Sequence, residues 1–396
     1  MQTATKSDAR AWIGIALMFY AFISIGISEG GLGVLIPSIL ATYDLTPATV
    51  TALFLSQVTG YAIAAMTSSL LTSRLGLAKT LLLASILLTS ALNFYAATTH
   101  WFVMVAAGSL GGFGSGLIDA GGNTFIASDK RNANLMGLLH AFYGIGALLG
   151  PTIATTLLTW GIEWRQVYHA VAGIVSITIA GSLWAVVHRY PAMQRSKLHA
   201  RTQQSSPLRT ALKLPIVWMS AILLLIYVGT EVAIGNWAYT VQHLDRGIST
   251  QIAGYSIAGY WFGLTIGRLS FGKMVRSIGA SRTIEASLLL LIVSLLVWWL
   301  LPSVWMVLPI LGFALSTIFP AMIWLTPQRV ESAIVPTAIG FLASFGSVGA
   351  ASIPLAVGWI ADRAGLQIIP ALMIPLAIVM LILHRWIVQK TAVRVD

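Results

Sequence analysis

The sequence predicts an all-α membrane protein of twelve spanning helices, arranged as two pseudo-symmetric halves of six. Three observations carry this: the composition, the spacing of apolar stretches, and a repeat at an offset of about 200 residues. Of 396 residues, 57% are hydrophobic and 9% charged, and the mean hydropathy is +0.84. A soluble domain needs a charged surface to stay in water, which this chain does not supply. The absence of cysteine excludes disulfides and thiolate metal sites. The N-terminal MQTATKSDAR is too polar for a signal peptide and runs directly into a full-length apolar stretch.

A spanning helix needs about 20 apolar residues. In chain order the candidate spans lie at 11–40, 48–71, 78–98, 101–127, 134–160 and 166–188, then 214–242, 250–272, 282–301, 303–326, 333–360 and 367–388. With the N-terminus placed in the cytoplasm, all but three of the 23 basic residues (Arg165, Arg246 and Arg363) fall at cytoplasmic ends and loops. The far face also holds Asp44, Glu163, Asp245 and Asp362. This positive-inside bias predicts both termini in the cytoplasm. The net charge of +11 is thereby read as topology, not as a nucleic-acid surface.

The most polar interval, HRYPAMQRSKLHARTQQSSPLRTALK at 188–213, separates six spans from six. It predicts an N-terminal domain at 1–190, a cytoplasmic linker at 191–212 and a C-terminal domain at 213–396. The halves also repeat. MGLLHAFYGIGALLGP (136–151) aligns with IGFLASFGSVGAASIP (339–354), matching Gly137, Phe142, Gly146, Ala147 and Pro151 with Gly340, Phe345, Gly349, Ala350 and Pro354 at an offset of 203. Glu29 and Glu231 align at 202, each with a glycine four residues on. Parallel repeats of this size build two-domain transporters. The runs GSLGGFGSG and GIGALLGP space small residues so that spanning helices approach closely. They lack the preceding strand and the following Lys-Ser/Thr of a phosphate loop.

GSGLIDAGGNTFIASD in the fourth span, LLHAFYGIGALLGP in the fifth, YVGTEVAIGNW in the seventh and GYWFGLTIGR in the eighth together resemble the major facilitator superfamily. Within it they resemble the fucose permease-like branch of sugar–proton symporters. The resemblance spans essentially the whole chain and implies that superfamily's fold, in a bacterial cytoplasmic (inner) membrane. The usual loop signature after the second span is degraded: LLTSRLGLAK keeps Arg74 and Gly76 but has Ser73 where an acid belongs.

Four charged groups lie within the spans: Glu29, Asp119, Glu231 and, nearer a helix end, Arg268. A carboxylate at a helix centre costs about 2.5–3.5 kcal/mol on insertion scales, so each needs a partner, a proton or hydration. The three acids are the candidates for proton coupling. Asp119 precedes Asn123 by four residues and shares its helix face; the resemblance implies a role for this acid in proton coupling and sugar recognition. It has no acidic counterpart in the second half, where STIFPAM aligns. His140 and Tyr143 share a face of the fifth helix, with His140 a candidate pocket donor or proton partner of Asp119.

Sugars are held by amides on their hydroxyls and by aromatic rings on their C–H faces. This makes Gln57, Asn123, His140, Tyr143, Asn236, Trp237, Tyr260 and Trp261 the candidate substrate-binding set. Gly235 suggests a helix break ahead of Asn236 and Trp237. Arg268 reads as a helix-end charge with a possible part in gating. The expected function is proton-coupled import of a monosaccharide or similar small polyol through a central cavity. Its rival is proton-driven export of drugs or metabolites. The expected partners are a sugar-like substrate, protons and the lipid bilayer, with the chain a monomer. No cofactor, metal, nucleic acid or enzymatic activity is expected, the energy coming from the proton gradient.

Overall fold

The computed structural model describes residues 6–127, 132–193, 208–303 and 305–392. Residues 194–207, most of the expected linker, lie outside the described residues. Twelve long helical segments follow one another: α1 (Lys6–Tyr43), α2 (Pro47–Leu75), α3 (Leu77–Ala97), α4 (Trp101–Ala127), α5 (Asn132–Thr159) and α6 (Trp164–Val187), then α7 (Pro215–Thr240), α8 (Thr250–Ile278), α9 (Ala280–Leu300), α10a and α10b (Val307–Leu315 and Ile318–Arg329), α11 (Val335–Ala364) and α12 (Ile368–Ala392). Among the described residues, eleven spans are long and apolar enough to cross a membrane. The remaining one is α8, at 29 residues, whose second half carries Arg268, Lys273 and Arg276.

The chain divides into two compact units, one of Met1–Tyr43 with Ala52–His199 and the other of Asp44–Thr51 with Ala200–Asp396. Within each unit glycine sets the closest helix pairs. A Cβ on Gly146 of α5 would stand 2.2 Å from the Ile23 carbonyl oxygen of α1, and one on Gly349 of α11 would stand 1.9 Å from that of Leu225 in α7. A Cβ on Gly60 of α2 would meet the Ser109 carbonyl oxygen at 2.0 Å, and one on Gly263 of α8 that of Pro309 at 1.9 Å. Without side chains at these points the helices close to backbone contact, which in lipid replaces the hydrophobic effect as the source of packing energy.

These contacts fix which residues are equivalent. Measured from the carbonyl over the α5 or α11 glycine, Glu29 and Glu231 are each six residues further along, so they hold the same position in their units. The α2–α4 and α8–α10 contacts likewise match Gln57 with Tyr260 and Asp119 with Phe319. The turns repeat as well. Gly76 between α2 and α3 has φ 84°, and Gly279 between α8 and α9 has φ 85°, left-handed values that glycine adopts without strain.

Two helices depart from regularity. Helix α10 breaks at Ser316–Thr317, because Pro320 has no N–H to give the Ser316 carbonyl and its ring crowds that turn; α4, without a proline there, is continuous. Helix α7 closes in a π-turn, Val241–Asp245. The break expected at Gly235 is absent, and α7 runs unbroken through it. The missing side chain instead admits the Trp261 ring, whose Cζ2 would be 3.0 Å from a Cβ there.

Candidate proton and substrate site

In the first unit the side chains of four helices converge. Asp119 on α4 is half-buried and accepts from the Tyr61 hydroxyl of α2 at 2.6 Å and from the Asn123 amide, one turn along, at 3.0 Å. Asn123 also donates to the Asp119 carbonyl at 2.9 Å. Glu29 on α1 is exposed and accepts from the Tyr143 hydroxyl of α5 at 2.9 Å. The Ser115 hydroxyl is also within hydrogen-bonding reach of Glu29. Ser115 lies one turn before Asp119 on α4, so the two acids border one polar patch. Neither acid forms an ion pair among the described residues. The groups that bond the two carboxyls are hydroxyls and an amide, all of them neutral donors.

The second unit answers the same position differently. Glu231 accepts from the Tyr227 hydroxyl, one turn earlier on α7, and from Arg268 Nη2 of α8 at 3.2 and 3.4 Å. Equivalence explains the contrast. Tyr143 corresponds to Gly346, so the phenol that meets Glu29 has no counterpart; Arg268 corresponds to Ala65, so the first unit has no cation there. Phe319 takes the place of Asp119 and lies against the Tyr227 ring with centroids 6.4 Å apart. Arg268, expected as a helix-end charge, is thus the counter-ion of Glu231. The antiparallel run of α8 beside α7 from the Gly235–Trp261 contact brings its long side chain level with the acid.

This pair makes a direct prediction. Its side chains retain 31% and 12% exposure, so the cost of breaking it falls below that of a fully buried pair. Arg268→Met is expected to destabilise the protein by about 1–3 kcal/mol, leaving a desolvated carboxylate. Glu231→Gln combined with Arg268→Met is expected to recover at least half of that loss. Thermal unfolding in detergent, read as a double-mutant cycle, checks it; additive losses would rule out the coupling.

The remaining candidates divide. Gln57, one turn before Tyr61, donates to the Tyr95 hydroxyl at 3.2 Å. His140 is exposed and meets the edge of Phe22, ring centroids 5.9 Å apart. Asn236 is half-buried, and its amide has no hydrogen-bond partner among the described residues. Trp261 is 9% exposed, with its indole N–H unpaired among the described residues. Trp237 and Tyr260, expected to face substrate, are fully buried in the second unit. The Trp237 N–H donates to the Pro354 carbonyl at 3.2 Å, and its ring fills the space that glycine leaves at position 358. The Tyr260 hydroxyl donates to the Glu231 carbonyl at 2.9 Å. In this structure both rings are packed and both polar tips are bonded. Tyr61, Ser115 and Tyr227 were missed by the sequence reading, although Tyr227 has the same four-residue spacing to its acid that links Asp119 to Asn123.

A model of the Major Facilitator Superfamily matches residues 18–331. The chain belongs to this superfamily of membrane transporters. It is therefore a transporter and not an enzyme. Bypass of stop codon protein 6 of Saccharomyces cerevisiae is 26% identical over 396 aligned positions, covering 91% of this chain and 78% of that one. The glucose/mannose transporter GlcP of Bacillus subtilis is 23% identical over 362, covering 87% and 88%. Among solved structures, a variant of the nucleoside transporter NupG superposes with a TM-score of 0.80 at 12% identity, over 95% of this chain and 99% of that one. A bacterial homologue of the lysosomal transporter Spinster does so with 0.75 at 15%, over 98% of each. At these identities the superpositions establish the shared fold.

Proposed function

We propose that this transporter carries a monosaccharide or similar small polar solute inward together with protons, by alternating access. The observation that carries the proton reading is the pair of acids, Glu29 and Asp119, surrounded by the hydroxyls and amide of Tyr143, Ser115, Tyr61 and Asn123, with no cation paired to either among the described residues. Glu231, the third acid of the proton-coupling set, differs from these two in having Arg268 paired to it. The sugar reading rests on the similarity to a glucose/mannose transporter over 87% of the chain and on the fucose permease-like motifs. Amides and rings that remain available, Asn236 and Trp261 above all, supply the donors and the apolar face that a sugar requires. In the first unit Gln57, Asn123, His140 and Tyr143 offer polar groups of the same kind. The protein works without a cofactor, as a monomer in a cytoplasmic membrane, with both termini on the cytoplasmic side where its basic loops lie.

The test is uptake into proteoliposomes holding the purified protein, with an imposed inward proton gradient and a panel of labelled hexoses, pentoses, polyols and nucleosides. Accumulation of at least one sugar that collapses when the gradient is dissipated is the expected result. Sugar uptake indifferent to the gradient would remove the coupling. Efflux of amphipathic drugs with no sugar flux would replace this reading with that of an exporter.

A further inference from the structure

The ion pair of the second unit is loose, and the scaffold does not require it. Arg268 Nη2 meets Glu231 at 3.2 and 3.4 Å, longer than the roughly 2.7–2.9 Å of a well-formed charged contact. A more exposed pair in the same unit is tighter, with Arg385 meeting Glu285 through two nitrogens at 3.0 and 2.8 Å. The first unit builds the equivalent position with Ala65 in place of Arg268 and a phenol bonded to Glu29. The six-helix architecture therefore does not depend on this pair. The Arg268 side chain is also 31% exposed, level with an acid in the middle of α7. A guanidinium at that depth that opened on lipid would be costly, so its open side is hydrated.

The neighbouring groups suit a sugar that carries an acid. Trp261 precedes Arg268 on the same face of α8, two turns and about 10 Å away along the axis. Its ring lies over Gly235, beside Asn236, whose amide has no hydrogen-bond partner among the described residues. An apolar ring face and an amide serve the C–H face and hydroxyls of a sugar. A carboxylate on the same molecule matches the planar fork of the guanidinium, which takes such groups through two parallel N–H···O bonds.

We infer that the substrate is a monosaccharide monocarboxylate, a uronate or aldonate, whose carboxylate pairs with Arg268 in place of Glu231. This rests on the proton-coupled transport proposed above and names the class of its sugar. The exchange balances in charge. Without substrate, Arg268 and Glu231 together are neutral. With it, the substrate carboxylate takes the guanidinium, Glu231 takes one proton from solution, and the site is neutral again. An uncompensated negative charge in the span is costly, which ties one proton to one anion and disfavours a doubly charged sugar phosphate. No other charge intervenes. Glu231 is faced by Tyr227 of α7 and by Tyr260 and Arg268 of α8. Helix α10 presents Phe319 and carries no titratable group before Arg329. Those of α11 and α12 lie towards their C-terminal ends, at Asp362, Arg363, His384, Arg385 and Lys390.

The experiment titrates the full chain, purified in detergent, with glucuronate, galacturonate and gluconate and with their neutral counterparts glucose, galactose and sorbitol. At least one acid is expected to raise the unfolding temperature saturably, at concentrations where its neutral counterpart does not. In weakly buffered solution its binding is expected to withdraw protons. Glu231→Gln is expected to withdraw about one proton fewer per bound acid and to bind it about tenfold more tightly at neutral pH, a competing charged contact being gone. Should that variant fail to fold, the structure of the wild type with the acid decides. A substrate carboxylate within hydrogen-bonding distance of the Arg268 guanidinium supports the inference, and one placed elsewhere overturns it. Equal stabilisation by an acid and its neutral counterpart, or unchanged proton withdrawal in Glu231→Gln, also overturns it. Gradient-driven uptake of neutral sugars alone in proteoliposomes would keep the proposed function and remove only this inference. Absence of gradient-driven uptake for acids and neutral sugars alike would remove both.

Discussion

Replacing Asp119 with Asn is expected to lower gradient-driven uptake by at least about 100-fold, the low end of what a positioned proton-transfer group contributes. Asn keeps the acceptor oxygen for the Tyr61 hydroxyl, which approaches to 2.6 Å, and adds little volume, so the fold stays intact. What is removed is the ability to exist in two protonation states. Exchange of labelled for unlabelled substrate at equilibrium needs no net proton movement and is expected to persist. Preserved accumulation in Asp119→Asn would refute the assignment, and loss of exchange along with accumulation would make Asp119 a substrate ligand. Tyr61→Phe removes one hydrogen bond of about 0.5–1.5 kcal/mol and leaves the acid in place. It is expected to lower uptake far less than Asp119→Asn does.

The second large effect concerns the scaffold. Gly146→Ala and Gly349→Ala each add one methyl group, and each methyl would fall 2.2 and 1.9 Å respectively from a backbone oxygen of the facing helix. A side-chain clash can rotate away, but a backbone one forces the helices apart. Each is expected to cost about 3 kcal/mol, the upper end of overpacking, a large part of a total stability of about 5–15 kcal/mol. Yield of monodisperse protein and its unfolding temperature give the readout. Gly137 and Gly340 lie in the same two motifs but have nothing within 4 Å of an added Cβ. Gly137→Ala and Gly340→Ala are expected to leave both measures unchanged. Equal tolerance at all four positions would refute the backbone-contact reading of the repeat.

That contrast also marks what could be read without coordinates. Apolar length identifies the spans, since lipid allows few alternatives to a helix, and matching glycines identify the repeat. The motif does not separate a glycine that two backbones share from one that faces open space, because the difference lies on another helix. The same limit applies to the site. Asp119 and Asn123 were legible as a pair because one helix turn joins them, and Tyr227 with Glu231 offers the same spacing. Arg268 was misread because its partner is set by how α8 lies along α7, a relation carried by Gly235 and Trp261 and not by sequence proximity. The burial of Trp237 was not legible because it depends on the small residue opposite, here Gly358.

The π-turn that ends α7 records something of the ancestry of the chain. The acids Glu29 and Glu231 correspond at an offset of 202, yet the left-handed turn residues that follow, Asp44 at φ 51° and Gly247 at φ 64°, correspond at 203. One residue more therefore separates acid from turn in the second half than in the first. A π-turn carries its hydrogen bonds one residue further than an α-turn, and Arg246 N–H reaches back five residues to the Val241 carbonyl. The surplus residue is absorbed there as a local bulge, so the helices on either side keep their ancestral register. Deleting one residue from Val241–Asp245 would return this half to the spacing of its sibling.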